Sequence, residues 1–162
     1  MKAIQVQYSL FWKIQSASNV VVPNHNPSNW WECDVFRVTR SGFFYEYEVK
    51  VSRSDFFSEF KTKKRKHTQI KSGHTSGPSR FWYATPKGLV KIDEIPDYAG
   101  LVEINSCNRA VITKQAPRLH KAKATMKHLE GAMRSACWRV WTQMGDKIEL
   151  MKAEQSKAAF SG

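Results

Sequence analysis

Asp34, Glu48 and Lys50 are the side chains whose types and spacing could carry chemistry in this sequence. They lie in two alternating β-type runs, Cys33–Val38 and Phe43–Val51, on either side of Arg40-Ser41-Gly42. A three-residue loop with Gly last closes a hairpin through a type I turn and a left-handed glycine, and the loop fixes the register. With Thr39 opposite Phe43, Asp34 faces Glu48. Residues two apart on a strand share a face. Glu46, Glu48 and Lys50 therefore point to the same side as Asp34, while Tyr45, Tyr47, Val49 and Val51 take the other. Opposed carboxylates sit about 5 Å apart at Cβ and repel. A hard cation such as Mg²⁺, which takes one or two carboxylates and keeps several waters, relieves that repulsion. A solvent-facing polar strip would use the same residues; the lysine on the acids' own face is what favours the cation.

The pattern of Asp34, a hairpin turn and then Glu48-Val49-Lys50 resembles the core of the PD-(D/E)XK nuclease superfamily. The continuation Ser52-Arg53-Ser54-Asp55-Phe56, the stretch Phe81–Val90 with Pro86-Lys87-Gly88-Leu89, and Ile95–Leu101 resemble its small phage-encoded, MmcB-like DNA-repair branch. The likeness spans roughly residues 20–119. It implies a metal-dependent deoxyribonuclease in which Asp34, Glu48 and the backbone carbonyl of Val49 hold Mg²⁺ or Mn²⁺. In that arrangement Lys50 orients water or neutralises charge on the phosphate. Ser52, Arg53, Lys61, Lys63, Lys64, Arg65, Lys66 and His67 are then the expected nucleic-acid contacts. Two positions depart from the pattern. Cys33 stands where the motif has proline, and residues 1–31 hold no Asp or Glu where many members carry an acid. The alternative is a nuclease-fold module that binds DNA and recruits partners without cutting it.

The charge distribution points to a polyanion independently. The net charge is +12. Residues 1–60 balance six basic against six acidic groups, whereas 61–92 carry nine basic groups and no acid. Positive charge thus begins just past the candidate site, the footprint of a phosphate-binding face. No apolar run approaches the ~20 residues of a membrane span, and the N-terminal stretch lacks the features of a signal peptide. The expectation is a cytoplasmic protein that binds DNA and no membrane. Cys33, Cys107 and Cys137 have no zinc-type spacing and read as reduced, buried thiols.

The elements that must position these residues follow from local pattern. Lys2–Gln15 is aromatic-rich and fits either a helix or a strand. Val20–Val22 reads as a short strand, Pro23–Asn29 as a loop, and Trp30-Trp31 as the opening of the first hairpin strand. Asp55 is a good N-cap for a helix over about 55–70 with Phe56, Phe57 and Phe60 on its apolar side, ended by the 61–67 cations. Lys71–Ser79 is a Gly/Ser/Pro loop, Phe81–Ala84 a central strand, and Leu101–Ile104 and Ala110–Thr113 further strands. From Leu119 onward Met126, Leu129, Met133, Cys137, Val140, Met144, Ile148 and Met151 recur at helical spacing. They predict one long amphipathic helix packed across the sheet, or a seam for self-association or a partner helix. The expected fold is one α/β domain over 1–151, a mixed sheet flanked by helices with a restriction-endonuclease-like core, and a frayed tail over 152–162.

Overall fold

The computed structural model describes residues 1–27 and 30–160. A six-stranded mixed sheet is its frame, with strands in chain order: β1 (Ser18–His25), β2 (Cys33–Thr39), β3 (Phe44–Val49), β4 (Arg80–Pro86), β5 (Ala99–Ile104) and β6 (Ala110–Lys114). The pairs β3/β4 and β4/β5 are parallel and the outer pairs antiparallel. Parallel neighbours need a crossover. The first is supplied by α2 (Arg53–Thr62) and α3 (Lys64–Lys71), the second by the 87–98 segment with its 3-10 turn at Ile92–Glu94. Helix α1 (Ala3–Ile14) precedes the sheet and α4 (Met126–Phe160) follows it. The expected α/β architecture is what the chain adopts. No helix among the described residues is long and apolar enough to cross a membrane.

The β2–β3 hairpin has the expected register: Val35, Phe36, Arg37 and Val38 pair with Tyr47, Glu46, Tyr45 and Phe44. Gly42 takes φ +85°, and its N–H donates to the Thr39 carbonyl at 2.9 Å. A Cβ would be strained at that φ.

Strand alternation then divides the interior. Val35, Tyr47, Val49, Trp82, Ala84, Val102 and Ile104 face α1, where Val6, Leu10 and Ile14 cover them in a wholly apolar cluster. On the other face Phe81, Tyr83, Ala99 and Leu101 meet Phe56 of α2 and Ile70 of α3. Phe36, Val38 and Phe44 continue that side toward Ala132 of α4.

Several boundaries differ from expectation. The 1–17 segment resolves to a helix because Val6, Leu10 and Ile14 recur at steps of four and bury together. Strand β1 runs on through Pro23 to His25, since an edge strand tolerates a residue without an N–H. Trp30 and Trp31 precede β2 instead of opening it. The 55–70 helix is two helices, broken at Lys63 (φ −108°, ψ 38°). Its N-cap is Ser52, not Asp55: the Ser52 hydroxyl accepts from the Asp55 amide at 3.2 Å. The C-terminal helix begins at Met126 after an extended 115–125 segment and continues to Phe160, past the tail boundary expected at 152. Cys33 is buried, but Cys107 and Cys137 are exposed.

Candidate functional site

Where α2 and α3 cross the ends of β2 and β3, the sheet's second face turns from apolar to ionic. Glu46 and Glu48 extend the alternation of Phe44 along β3, so the strand that buries Phe44 must bury both acids. Asp34 comes alongside from β2: its Oδ2 accepts the Val49 amide at 2.7 Å, continuing the ladder one step past the last backbone pair. From α2, Glu59 lies on the same side as Phe56 and is 1 % exposed. From α3, Lys66, His67 and Ile70 form the buried face. The break at Lys63 lets two short helices each aim an inward face at the sheet, which one straight helix would not do.

Three ammonium groups meet Glu46, Glu48 and Glu59 and, at the rim, Asp55. Lys66 Nζ lies 2.7 Å from Glu46 Oε1, 2.5 Å from Glu48 Oε2 and 3.5 Å from Glu59 Oε1. Lys50 Nζ lies 3.1 Å from Glu48 Oε1, 2.7 Å from Glu59 Oε2 and 3.4 Å from Asp55 Oδ1. Lys63 Nζ reaches Glu48 Oε1 at 2.7 Å from a side chain that is 45 % exposed. Trp31 Nε1 donates to both oxygens of Glu46 at 2.8 Å. His67 Nε2 is 3.3 Å from Glu59, and its Nδ1 is 2.9 Å from the Tyr98 hydroxyl.

Burial and charge pull these groups in opposite directions. Burial pushes Glu48 up, but the Lys66, Lys50 and Lys63 ammoniums outweigh it and hold the carboxyl well below the usual range. Burial would lower Lys50 and Lys66, yet facing carboxylates raise both, Glu48 and Glu59 for the first, Glu46 and Glu48 for the second. Glu46 goes the other way: burial lifts it to about 7 in spite of Lys66. Asp34 is also raised, first by burial and then by repulsion from Glu48, with the Val49 amide partly offsetting both.

A cleft of about 940 Å³ opens over this cluster, lined by Trp30, Trp31, Asp34, Lys63, Arg65 and Lys66 among others. Asp34, Glu48 and Lys50 are thus brought together as their strand positions require. Among the described residues, no three His, Cys, Asp or Glu side chains are gathered as a ready metal site. Ammonium groups contact both oxygens of Glu48.

The basic run does not act as one surface. Lys66 and His67 are 4 % and 8 % exposed and paired inward, so they are corrected from phosphate contacts to members of the buried cluster. Arg53 is held by Glu94 at 2.6 Å and lies over the Phe57 ring, and the Ser52 hydroxyl is used in capping α2. Lys61, Lys64 and Arg65 are exposed. Glu46, Glu59 and Trp31 are the partners that sequence reasoning did not select. Glu59 carried a usable signal: an acid three residues after Phe56 on a helix's apolar side must be paired when buried.

No family model matches the chain, and no curated protein does. Among solved structures, a protein of unknown function from Silicibacter pomeroyi is similar in fold, with a TM-score of 0.68 at 17% sequence identity. The likeness covers 91% of this chain and 94% of that one.

Proposed function

We propose that the chain is a divalent-metal-dependent nuclease that hydrolyses DNA phosphodiester bonds, with Asp34, Glu48 and Lys50 at its centre. The observation that carries this reading is Asp34 lining an open cleft, with Glu48 buried behind it, close enough to raise its pKa, and the Lys50 ammonium against Glu48.

The donor set fits one small ion on one condition. Glu48 Oε2 is committed to buried Lys66, but the outermost ammonium on Oε1 belongs to half-exposed Lys63. Exchanging the half-exposed lysine for an ion would replace one positive charge on Oε1 by another. It would also relieve the repulsion that raises Asp34. Asp34, Glu48 and the Val49 carbonyl would hold Mg²⁺ or Mn²⁺, which supplies polarisation of a phosphoryl oxygen and acidification of water. Lys50, kept charged by Glu48 and Glu59, would add a fixed positive charge behind Glu48, where low dielectric strengthens its field on a phosphate. Lys61, Lys64 and Arg65 would follow the DNA backbone without reading sequence, which makes binding steeply salt-dependent. DNA as substrate places the protein in the cytoplasm, or the host cytoplasm for a phage protein, in DNA repair or phage DNA metabolism.

A second reading rests on the same lysines. With Lys50, Lys63 and Lys66 already neutralising the acids, the fold can grip DNA with no ion and no hydrolysis. Cleavage of single-stranded, duplex and branched DNA in Mg²⁺, Mn²⁺ or EDTA separates the two. The nuclease reading expects metal-dependent cutting that falls at least ~100-fold in Asp34→Asn and Glu48→Gln. No cutting of any substrate, with DNA binding unchanged by EDTA, establishes the second reading instead.

A further inference from the structure

The long C-terminal helix has a docked face and a bare one. Leu129, Ala132 and Ala136 pack it onto the cluster of Val22, Phe36 and Phe44. At roughly 100° per residue, Met133, Val140, Trp141, Met144, Ile148 and Met151 fall on a separate stripe. The expectation that this stripe packs across the sheet is therefore wrong. These six side chains and neighbouring Trp138 are 47–74 % exposed. Thr142 and Gln143 still border a cleft against α1, but from Met144 to Gln155 every residue is exposed, so about 18 Å of helix stands clear of the domain. An apolar strip of this extent marks an interaction surface.

We propose that a second copy of this chain covers the stripe, the two α4 helices pairing antiparallel about a two-fold axis near Thr142. The charge pattern is what a second copy complements. Residues 126–140 carry Lys127, Arg134 and Arg139 against Glu130, while 141–160 balance Asp146, Glu149 and Glu154 with Lys147, Lys152 and Lys157. Antiparallel pairing sets the net-positive half of each helix on the neutral half of the other. Along one flank it brings Glu130 opposite the second copy's Lys152 and Arg134 opposite its Glu149. It also lays Trp138 over the second copy's Gly145, where open space surrounds a residue with no side chain. Parallel pairing would instead stack the two net-positive halves on each other, and flanking charges decide orientation. An anionic membrane surface, the other candidate for an amphipathic helix, would meet a projecting half with no net positive charge.

Sedimentation equilibrium of the full chain tests the pairing, and spin labels at Cys137 in a Cys107→Ser background test its direction. The expected result is a dimer whose dissociation constant rises more than tenfold in Trp141→Glu/Ile148→Glu. Its melting temperature, measured on protein diluted below the dissociation constant, should stay unchanged, since both residues are exposed in the monomer. The antiparallel register sets the two Cys137 about 15 Å apart along the axis, so oxidation should not crosslink them. A monomer at 100 μM protein (about that concentration suffices for a micromolar interface) overturns the proposal. So does a Cys137–Cys137 disulfide in high yield, or a monomer that binds phosphatidylserine vesicles through the stripe. No arm of the test reads cleavage, so it stands or falls apart from the nuclease reading.

Discussion

The two faces of the sheet solve the same burial problem with opposite chemistry. Under α1 the residues of β3 are Tyr45, Tyr47 and Val49, covered by a helix whose segment contains no acid. One residue along in register, the same strand buries Glu46 and Glu48 and needs Lys50, Lys63 and Lys66 to hold them. Apolar burial stabilises at about 25 cal/mol per Å² without any matching geometry. A buried ion cluster gives back in attraction roughly what desolvation costs, and it depends on every member. The α1 face therefore secures the fold, while the α2/α3 face is held in a state that pH, ions or a lost side chain can upset.

Substitutions can break that contrast in turn. Lys66→Met removes the cation shared by Glu46, Glu48 and Glu59, and should destabilise by ~3–5 kcal/mol at pH 8. Denaturant unfolding at pH 5 should show a smaller loss, because Glu46 is then protonated. Leu10→Ala on the apolar face should cost about 3 kcal/mol by the same amount at both pH values, and a pH-dependent loss there would erase the distinction.

Glu46→Gln sharpens the comparison with little change of shape. Its folded pKa of about 7 exceeds the ordinary value of 4.5. Between those limits the unfolded chain has released a proton that the folded chain keeps, so this group's contribution falls as pH rises through the window. Glutamine does not titrate. The stability of the variant relative to wild type should therefore improve from pH 5 to pH 8, by up to ~3 kcal/mol. A flat difference would mean that Glu46 is ionised throughout. The smallest effect belongs to Ser52→Ala, about 1 kcal/mol from the lost cap on α2, measured by thermal melting.

Legibility followed the range of the interactions. Gly42 and the alternating runs around it specified the hairpin register locally, so Asp34, Glu48 and Lys50 could be placed together from sequence. The α/β architecture was readable from strand and helix periodicities. Lys66 and His67 were misplaced because a run of cations looks like solvated surface until the acids it faces are known, and Glu59 and Glu46 lie 7 and 20 positions upstream of Lys66. The break at Lys63 had no proline or glycine to announce it. The stripe on α4 was visible as periodicity, but periodicity says nothing of which side a domain will occupy.

The bond from the Val49 amide to Asp34 Oδ2 gives that aspartate a divided allegiance. One oxygen closes the end of the ladder, and only Oδ1 lies outside that bond. On the nuclease reading Asp34 is thereby a single-toothed ligand by construction. Mg²⁺, satisfied by few protein oxygens in a tight octahedron, suits such a partner better than Ca²⁺, which collects six to eight and welcomes bidentate acids. On that reading, the same bond would favour Mg²⁺ over Ca²⁺ before any substrate arrives.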